Sequence, residues 1–457
     1  MDKSIRGQRV RYLWAALASI VALGLFFALL ARPDVALEHS VRAMDGWEYE
    51  GAPTALPIDE PREKGNTYTI SAPLPILAIG DRLIFRSENL NIRVALDGNT
   101  IYQTVPARSH ETIGDEWHMV YIPPAERGQI ISISGTILYP GGSNHISAVY
   151  LGQRGDFIKQ VAGAKLSGYI VSALILLIGV IYLLSGRLLM RPMGLSIPLS
   201  LPGLCISMGL WCSMQTQVPE LLFGHMPLQM LVIYGTPPFS MAMAALYLRT
   251  LPAPRWVKAA FLVIGITELL HFALAIVLEL LRVSAFVETL FLMRACMGAV
   301  LVLFVCQLPT LLKRYRDYYY LMLGLASLFI MMALDVISAY RGTYDYARNT
   351  RFGLFLMVLL ITVQYALRLR ENLRLADQAE VMRGLAYRDP LTGLANRLAL
   401  VGDQEQMLTR KDGCVGIVQM DINNLKPVND QYGHEAGDAL ILRASRAIQA
   451  AFARMGT

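Results

Sequence analysis

Between residues 164 and 369 the chain passes through seven apolar runs, at about 166–185, 195–215, 228–248, 257–280, 286–309, 318–340 and 352–369. At about 1.5 Å of rise per helical residue, runs of this length match a bilayer core of about 30 Å. Lipid offers no partner to backbone N–H and C=O groups, so only helices and closed barrels span it. Uninterrupted apolar runs of this length predict helices. Composition agrees, since 54% of residues are hydrophobic and only 17% are charged, outside the habit of soluble domains. A further run, Tyr12 to Ala31, follows Lys3, Arg6, Arg9 and Arg11. Residues 1–31 therefore read as a membrane anchor, with a cleaved signal peptide as the rival.

Charge gives the orientation. With the N-terminus inside, the first helix exports residues 32–160, and seven more helices return the chain to the inner side. Arg187, Arg191, Arg249, Arg255, Lys258, Lys313, Arg314, Arg316, Arg368, Arg370 and Arg374 then fall inside, as positive-inside bias requires. The outer loop 216–227 has no Lys or Arg, whereas the outer loop 341–351 carries Arg341, Arg348 and Arg351 against the trend. The net charge of +6 is accounted for at the ends of apolar runs, and no nucleic-acid partner is expected. Pro237-Pro238 should break or kink the 228–248 helix. Glu268, His271, Arg294 and Asp335 lie within the runs, where charge is costly and normally faces the protein interior. An Arg294–Asp335 or Arg294–Glu268 pair is expected, either coupling helices or packing statically.

Residues 32–160 have a different texture, rich in Pro, Gly and short alternating runs. Thr67–Ser71, Arg82–Arg86, Ile92–Leu96, His118–Ile122 and Ile130–Ser134 read as strands. Asp97-Gly98, between Ile92–Leu96 and Thr100–Tyr102, is a two-residue hairpin signal. Together they predict an antiparallel sandwich. The five cysteines, Cys205, Cys212, Cys296, Cys306 and Cys414, all lie outside it, so no disulfide is expected there.

Residues 366–388 are charged and free of proline, with Leu375, Ala379, Met382 and Ala386 spaced 4, 3, 4. That is a heptad seam, giving a short parallel coiled coil or a single helical linker. Beyond it come Asp389-Pro-Leu-Thr-Gly-Leu-Ala-Asn-Arg397, an apolar segment Val415–Met420 that reads as a strand, and Asp421-Ile-Asn-Asn-Leu-Lys-Pro-Val-Asn-Asp-Gln-Tyr-Gly-His-Glu-Ala-Gly-Asp438. A strand ending in Asp421 puts a carboxylate at a sheet's carboxyl edge, where α/β folds collect ligands. One such carboxylate suits Mg²⁺, which completes its shell with phosphate oxygens and water. Asn423 and Asn424 let the backbone turn, and Lys426 offers a point charge to phosphate. Asn429 and Asp438 can pair with a purine edge, and Gly433 and Gly437 permit close turns.

These two motifs resemble the first half of a GGDEF domain, the catalytic module of diguanylate cyclases. A sandwich, seven helices and a signalling output also resemble the seven-transmembrane receptors with diverse intracellular signalling modules. The sandwich resembles the carbohydrate-binding-like jelly rolls that precede some bacterial seven-helix sensors. The fold class implied is a multidomain membrane protein. It has an all-β jelly-roll-like outer sandwich (32–160), an α-helical transmembrane bundle (164–369), a linker (370–388) and a partial α/β nucleotide-cyclase-like GGDEF domain (389–457).

The resemblance implies that Asp421 binds Mg²⁺ or Mn²⁺ through its side chain and Ile422 through its carbonyl. It implies that Leu394 lines the GTP base pocket, that Asn429 and Asp438 hold the guanine, and that Asn424, Leu425 and Lys426 lie at the phosphates. Asp389 and Arg397 would fix the opening turn. Asn423 stands where Asp is common and Leu425 where Phe is common. His434 reads as a turn histidine rather than a base. The implied protein is a homodimeric sensor in a bacterial inner membrane, with residues 32–160 periplasmic, the C-terminus cytoplasmic and an unidentified external ligand. The 457 residues end before the Gly-Gly-Asp/Glu-Glu-Phe signature, so the catalytic residues are expected outside this chain, which alone should make no product. A non-enzymatic receptor signalling through partners is the alternative. A transporter is disfavoured by the lack of a half-repeat.

Overall fold

The structure is a computed structural model that describes residues 41–56, 58–59, 63–105, 112–124, 128–139, 145–186, 197–224, 227–340, 347–401 and 418–454. The expected anchor at 12–31 lies outside them, as do Arg187, Arg191, Arg341 and Cys414. The chain divides into two compact units, Met1–Leu367 and Arg368–Thr457.

The first unit opens with strands β1 (Val41–Ala43), β2 (Glu48–Tyr49), β3 (Ala52–Pro53), β4 (Ile58–Asp59), β5 (Thr67–Pro73), β6 (Arg82–Glu88), β7 (Leu90–Leu96), β8 (Asn99–Gln103), β9 (Asp115–Tyr121), β10 (Ile130–Ile137), β11 (His145–Ile146) and β12 (Tyr150–Gly152). They form two antiparallel sheets. One runs β3-β2-β5-β10-β7-β8; the other runs β1-β12-β6-β11-β4, with β9 on the other edge of β6. Every strand read from the alternation is present. The hairpin is present too: Leu96 pairs with Asn99, and Asp97 and Gly98 both take positive φ, +46° and +83°, as a type I′ turn demands. Asp97 Oδ1 also accepts the Ile130 N–H at 2.8 Å.

The core between the sheets follows the period of two. In β10, Ile131, Ile133 and Ile137 face inward against Ile70, Val94 and Phe85. Strand β6 is buried on both faces, with Leu83, Ile84 and Phe85 each at 0% exposure. Leu83 and Phe85 belong to the sandwich core, while Ile84 joins a second cluster with Val41, Phe157 and Leu221. Helices therefore cover the outer face of that sheet.

The helices are α1 (Arg154–Ser185), α2 (Ser200–Gln215), α3 (Val218–Phe223), α4 (Pro227–Met230), α5 (Thr236–Thr250), α6 (Arg255–Leu280), α7 (Phe286–Lys313), α8 (Tyr315–Tyr340) and α9 (Arg348–Ala386). Six helical stretches are long and apolar enough to cross a membrane by length and composition. The second expected run is shorter than read, because α2 has 16 residues. Small residues let the helices close. A Cβ on Gly209 would stand 2.7 Å from the Leu176 nitrogen, and one on Gly324 would stand 2.9 Å from the Met357 Cα, the close backbone approach typical of such bundles. Pro237 and Pro238 do not end the helix: a π-helical turn, Leu231–Gly235, runs directly into α5, and the prolines sit in the first turn of α5, where their missing N–H groups cost little.

Neither expected Arg294 pair forms. Arg294 is exposed on α7. Glu268, fully buried, instead lies 3.1 Å from His271 Nδ1 one turn along α6. Asp335 accepts the Asn349 and Thr350 N–H groups at 2.9 and 2.7 Å. It thus caps the start of α9, where free N–H groups and the helix dipole favour a carboxylate. The outer-loop arginines that broke the charge rule are explained in part, because Arg351 is 2% exposed and packs against Gly168.

The second unit begins within α9, which runs unbroken to Ala386. Leu375 and Met382 of the expected seam are 53% and 70% exposed on the single chain. The expected strand 415–420 is not borne out where it is described: residues 418–420 have no strand pairing. A strand exists through its ladder partners, and among the described residues of this unit the only β pairing is a bridge between Arg388 and Ala395. The α/β sheet expected of residues 389–457 is thus not seen in them.

Candidate functional site

The site residues fall on two locally ordered pieces. The first is the turn after α9. Asp389 Oδ1 accepts the Thr392 N–H and its hydroxyl, both at 2.8 Å. These donors hold the Asp389 carboxyl below its ordinary range, the amide contributing most. The Asp389 N–H donates to the Leu394 carbonyl at 2.8 Å and Gly393 takes φ +71°, which closes the loop. Asn396 then anchors both sides of it. Its side-chain amide donates to the Ala386 carbonyl at 2.8 Å, and its Oδ1 accepts the Leu398 and Ala399 N–H groups at 2.9 and 3.1 Å. That is an N-cap for the helical turn starting at Arg397.

The arginine in this turn is Arg388, whose Nη1 donates to the Gly393 carbonyl at 2.8 Å. Arg397, expected to fix the turn, is exposed at the start of the helix. The sequence reading missed Arg388 and Asn396, although an Asn just before a helix start was an available capping signal. Leu394 is half-buried in the turn.

The second piece is α10 (Leu425–Tyr432) and α11 (His434–Arg454). Asp421 is exposed and Ile422 half-buried in the extended segment ahead of α10. Asn424 adopts the left-handed conformation, φ +64°, tolerated by Asn because its short polar side chain bonds locally. This bend leaves Leu425 half-buried and Lys426 exposed in the first turn of α10. Gly433, at φ +86°, ends that helix and its N–H donates to the Asn429 carbonyl at 2.9 Å. Asn429 and the first turn of α11 meet: a Cβ on Gly437 would fall on Asn429 Oδ1. Gly437 is therefore required by this approach; the next residue, Asp438, is exposed on α11. Asn429 Oδ1 is buried without a hydrogen-bond partner. His434 opens α11.

Among the described residues no group of three or more His, Cys, Asp or Glu side chains is placed to hold a metal. A nucleotide-borne Mg²⁺ needs only one or two protein carboxylates, with phosphate and water completing its shell. A single exposed Asp421 fits that demand and does not fit a dedicated all-protein cage.

Residues 386–457 match the family model "Diguanylate cyclase, GGDEF domain". An uncharacterized protein from the hutH 5′ region of Streptomyces griseus is 43% identical over 70 residues, 15% of this chain and 29% of that protein. The cyclic di-GMP phosphodiesterase PdeR of Escherichia coli is 43% identical over 70 residues, 15% of this chain and 11% of that protein. The diguanylate cyclase DgcP of Pseudomonas aeruginosa is 42% identical over 65 residues, 14% of this chain and 10% of that protein. The matches thus span under a third of each of these relatives. No solved structure matches. Residues 386–457 are accordingly a GGDEF-domain segment, similar to relatives that include one named a diguanylate cyclase.

Proposed function

We propose that the protein is a membrane-embedded sensor whose output is the synthesis of cyclic di-GMP from two GTP molecules. The observation that carries this reading is the family match at 386–457, reinforced by the turn in which Gly437 makes room for Asn429. In this reading Asn429 and Asp438 hold the guanine edge and Leu394 packs on the base. Asn424, Leu425 and Lys426 lie along the phosphates, and Asp421 with the Ile422 carbonyl holds Mg²⁺ or Mn²⁺. The buried, unpartnered Asn429 Oδ1 supports this, since such an acceptor is costly until a donor reaches it. The metal, when bound, neutralises phosphate charge. Each GTP 3′-hydroxyl attacks the α-phosphorus of the other nucleotide; one P–O bond forms as the bond to the departing pyrophosphate breaks, at each of two sites.

That chemistry needs two domains facing each other, so a homodimer belongs to the proposal. The exposed Leu375 and Met382 on α9 support a seam between two copies. The long apolar helices and the inner-side arginines support an inner-membrane location with the sandwich in the periplasm and the C-terminus in the cytoplasm. The external ligand has no assigned chemistry. A second reading comes from PdeR, named a phosphodiesterase although 43% identical to this chain over 70 residues: the segment then serves as a GTP-binding or partner-binding module of a receptor that does not itself make product.

The test is to express the complete open reading frame and incubate its membranes with GTP and Mg²⁺. Cyclic di-GMP and pyrophosphate should form and vanish in Asp421→Ala. Absence of product from the unmodified protein, or equal product from Asp421→Ala, overturns the cyclase reading.

A further inference from the structure

Helical elements from several parts of the bundle grip one short stretch of the sandwich, residues 112–117. At its start, Thr112 donates its N–H to Glu279 Oε1 at 2.9 Å and its hydroxyl to Glu279 Oε2 at 2.8 Å. The same Oε2 accepts the Phe286 N–H at 2.8 Å, so Glu279 ties the sandwich to the end of α6 and the start of α7 together. In the middle, Gly114, at φ +68°, lies under the π-helical turn: a Cβ there would meet Met230 Sδ at 2.5 Å and Tyr234 Cε2 at 3.0 Å. Within the stretch itself, Asp115 pairs with Arg86 of β6. At the end, the Trp117 N–H donates to Glu220 Oε1 of α3 at 2.8 Å, and its ring meets Phe157 of α1 edge-on at 5.1 Å.

These contacts differ from ordinary packing. Trp117 lies on β9, which among the described residues pairs only with β6, and its outward N–H would otherwise be an open edge donor. Glu220 is 4% exposed and Thr112 5%, so each carboxylate bond stands where water does not replace it, and breaking one leaves a buried group unsatisfied. The π-helical turn is an insertion of the kind often found at functional positions, and it feeds directly into the proline-led start of α5.

We propose that residues 112–117 form a coupling strap through which the sandwich and helices α3, α5, α6 and α7 share one conformational equilibrium. Displacement of β9 reaches α3 through Glu220, the π turn through Gly114 and Tyr234, and the α6–α7 corner through Glu279. The inference rests on the first unit alone and does not depend on the nucleotide reading.

The experiment perturbs the sandwich far from the strap and reads the helices. Ile133→Ala loosens the core at a residue paired with Ile70 and Val94. In the 457-residue protein in lipid nanodiscs, amide hydrogen exchange is followed in both regions. With the strap intact, Ile133→Ala should raise exchange in 227–250 and 279–290 by about fivefold or more, the lower end of ordinary allosteric coupling. With Glu279→Ala and Glu220→Ala added, which remove the acceptors of the Thr112 and Trp117 N–H groups, the rise should persist in the sandwich and disappear in the helices. If that double variant does not fold, Gly114→Ala is used in its place. Helical exchange unmoved by Ile133→Ala, or moved equally with the strap cut, overturns the proposal.

Discussion

The sandwich and the C-terminal segment were equally legible as motifs, yet they differ in how far local sequence produces structure. In the sandwich every strand finds its partner within about a hundred residues, and the alternating side chains close a dry core around Ile70, Phe85 and Ile133, each 0% exposed. In the C-terminal segment the ordered parts are those built from near neighbours: the Asp389–Thr392 turn, the Asn396 cap and the Asn429–Gly437 contact. The apolar residues of its expected strand stay exposed, Val418 at 63% and Met420 at 54%. Turns and caps need a few residues; a strand needs a sheet.

The comparison breaks most easily at the cores. Phe85→Ala should destabilise the outer unit by about 3–5 kcal/mol, whereas Val418→Ala should change stability by less than about 0.5 kcal/mol. Thermal unfolding followed by protease protection checks both, and equal effects would erase the contrast. The next effect is pH-dependent. Burial, aided by Arg86, pushes His145 down to about 4, so the native state holds it neutral while the unfolded chain takes up a proton near 6.5. Its contribution is complete above pH 6.5 and is lost as pH falls toward about 4, with a slope of at most about 1.4 kcal/mol per pH unit. His145→Gln should flatten that slope in denaturant melts between pH 7.5 and 5.

Smaller effects follow at the turns. Gly98→Ala should cost about 1–2 kcal/mol, because a Cβ is disfavoured at positive φ and the site is otherwise open. Asn396→Ala should cost about 1 kcal/mol, seen as faster amide exchange at Leu398 and Ala399 with the sandwich unaffected.

What the sequence disclosed follows the same division. Period-two alternation and the Asp97-Gly98 hairpin are written within a few residues and appear as read. Arg294 failed because its expected partners were spoken for. Asp335 satisfies the N–H groups of α9 and Glu268 meets His271 one turn along its own helix; backbone N–H groups carry no formal charge that a charge-matching rule would notice. Arg351 looked like a topological violation because burial against Gly168 cannot be read from charge order. At the candidate site, the αL bend at Asn424 and the need for Gly437 were legible from residue type. The turn's true arginine, Arg388, was not, because a side chain bonding back to a carbonyl five residues ahead leaves no pattern in composition.

The proposal that these residues hold GTP is tested most directly by equilibrium binding of GTP, with Mg²⁺, to the protein purified from its complete open reading frame, beside Asn429→Ala and Asp438→Ala. The account predicts saturable binding that weakens at least about tenfold in each variant, as loss of a purine-edge hydrogen bond worth about 1.4 kcal/mol would require. Saturable binding unchanged in both variants, or none in the unmodified protein, would contradict it.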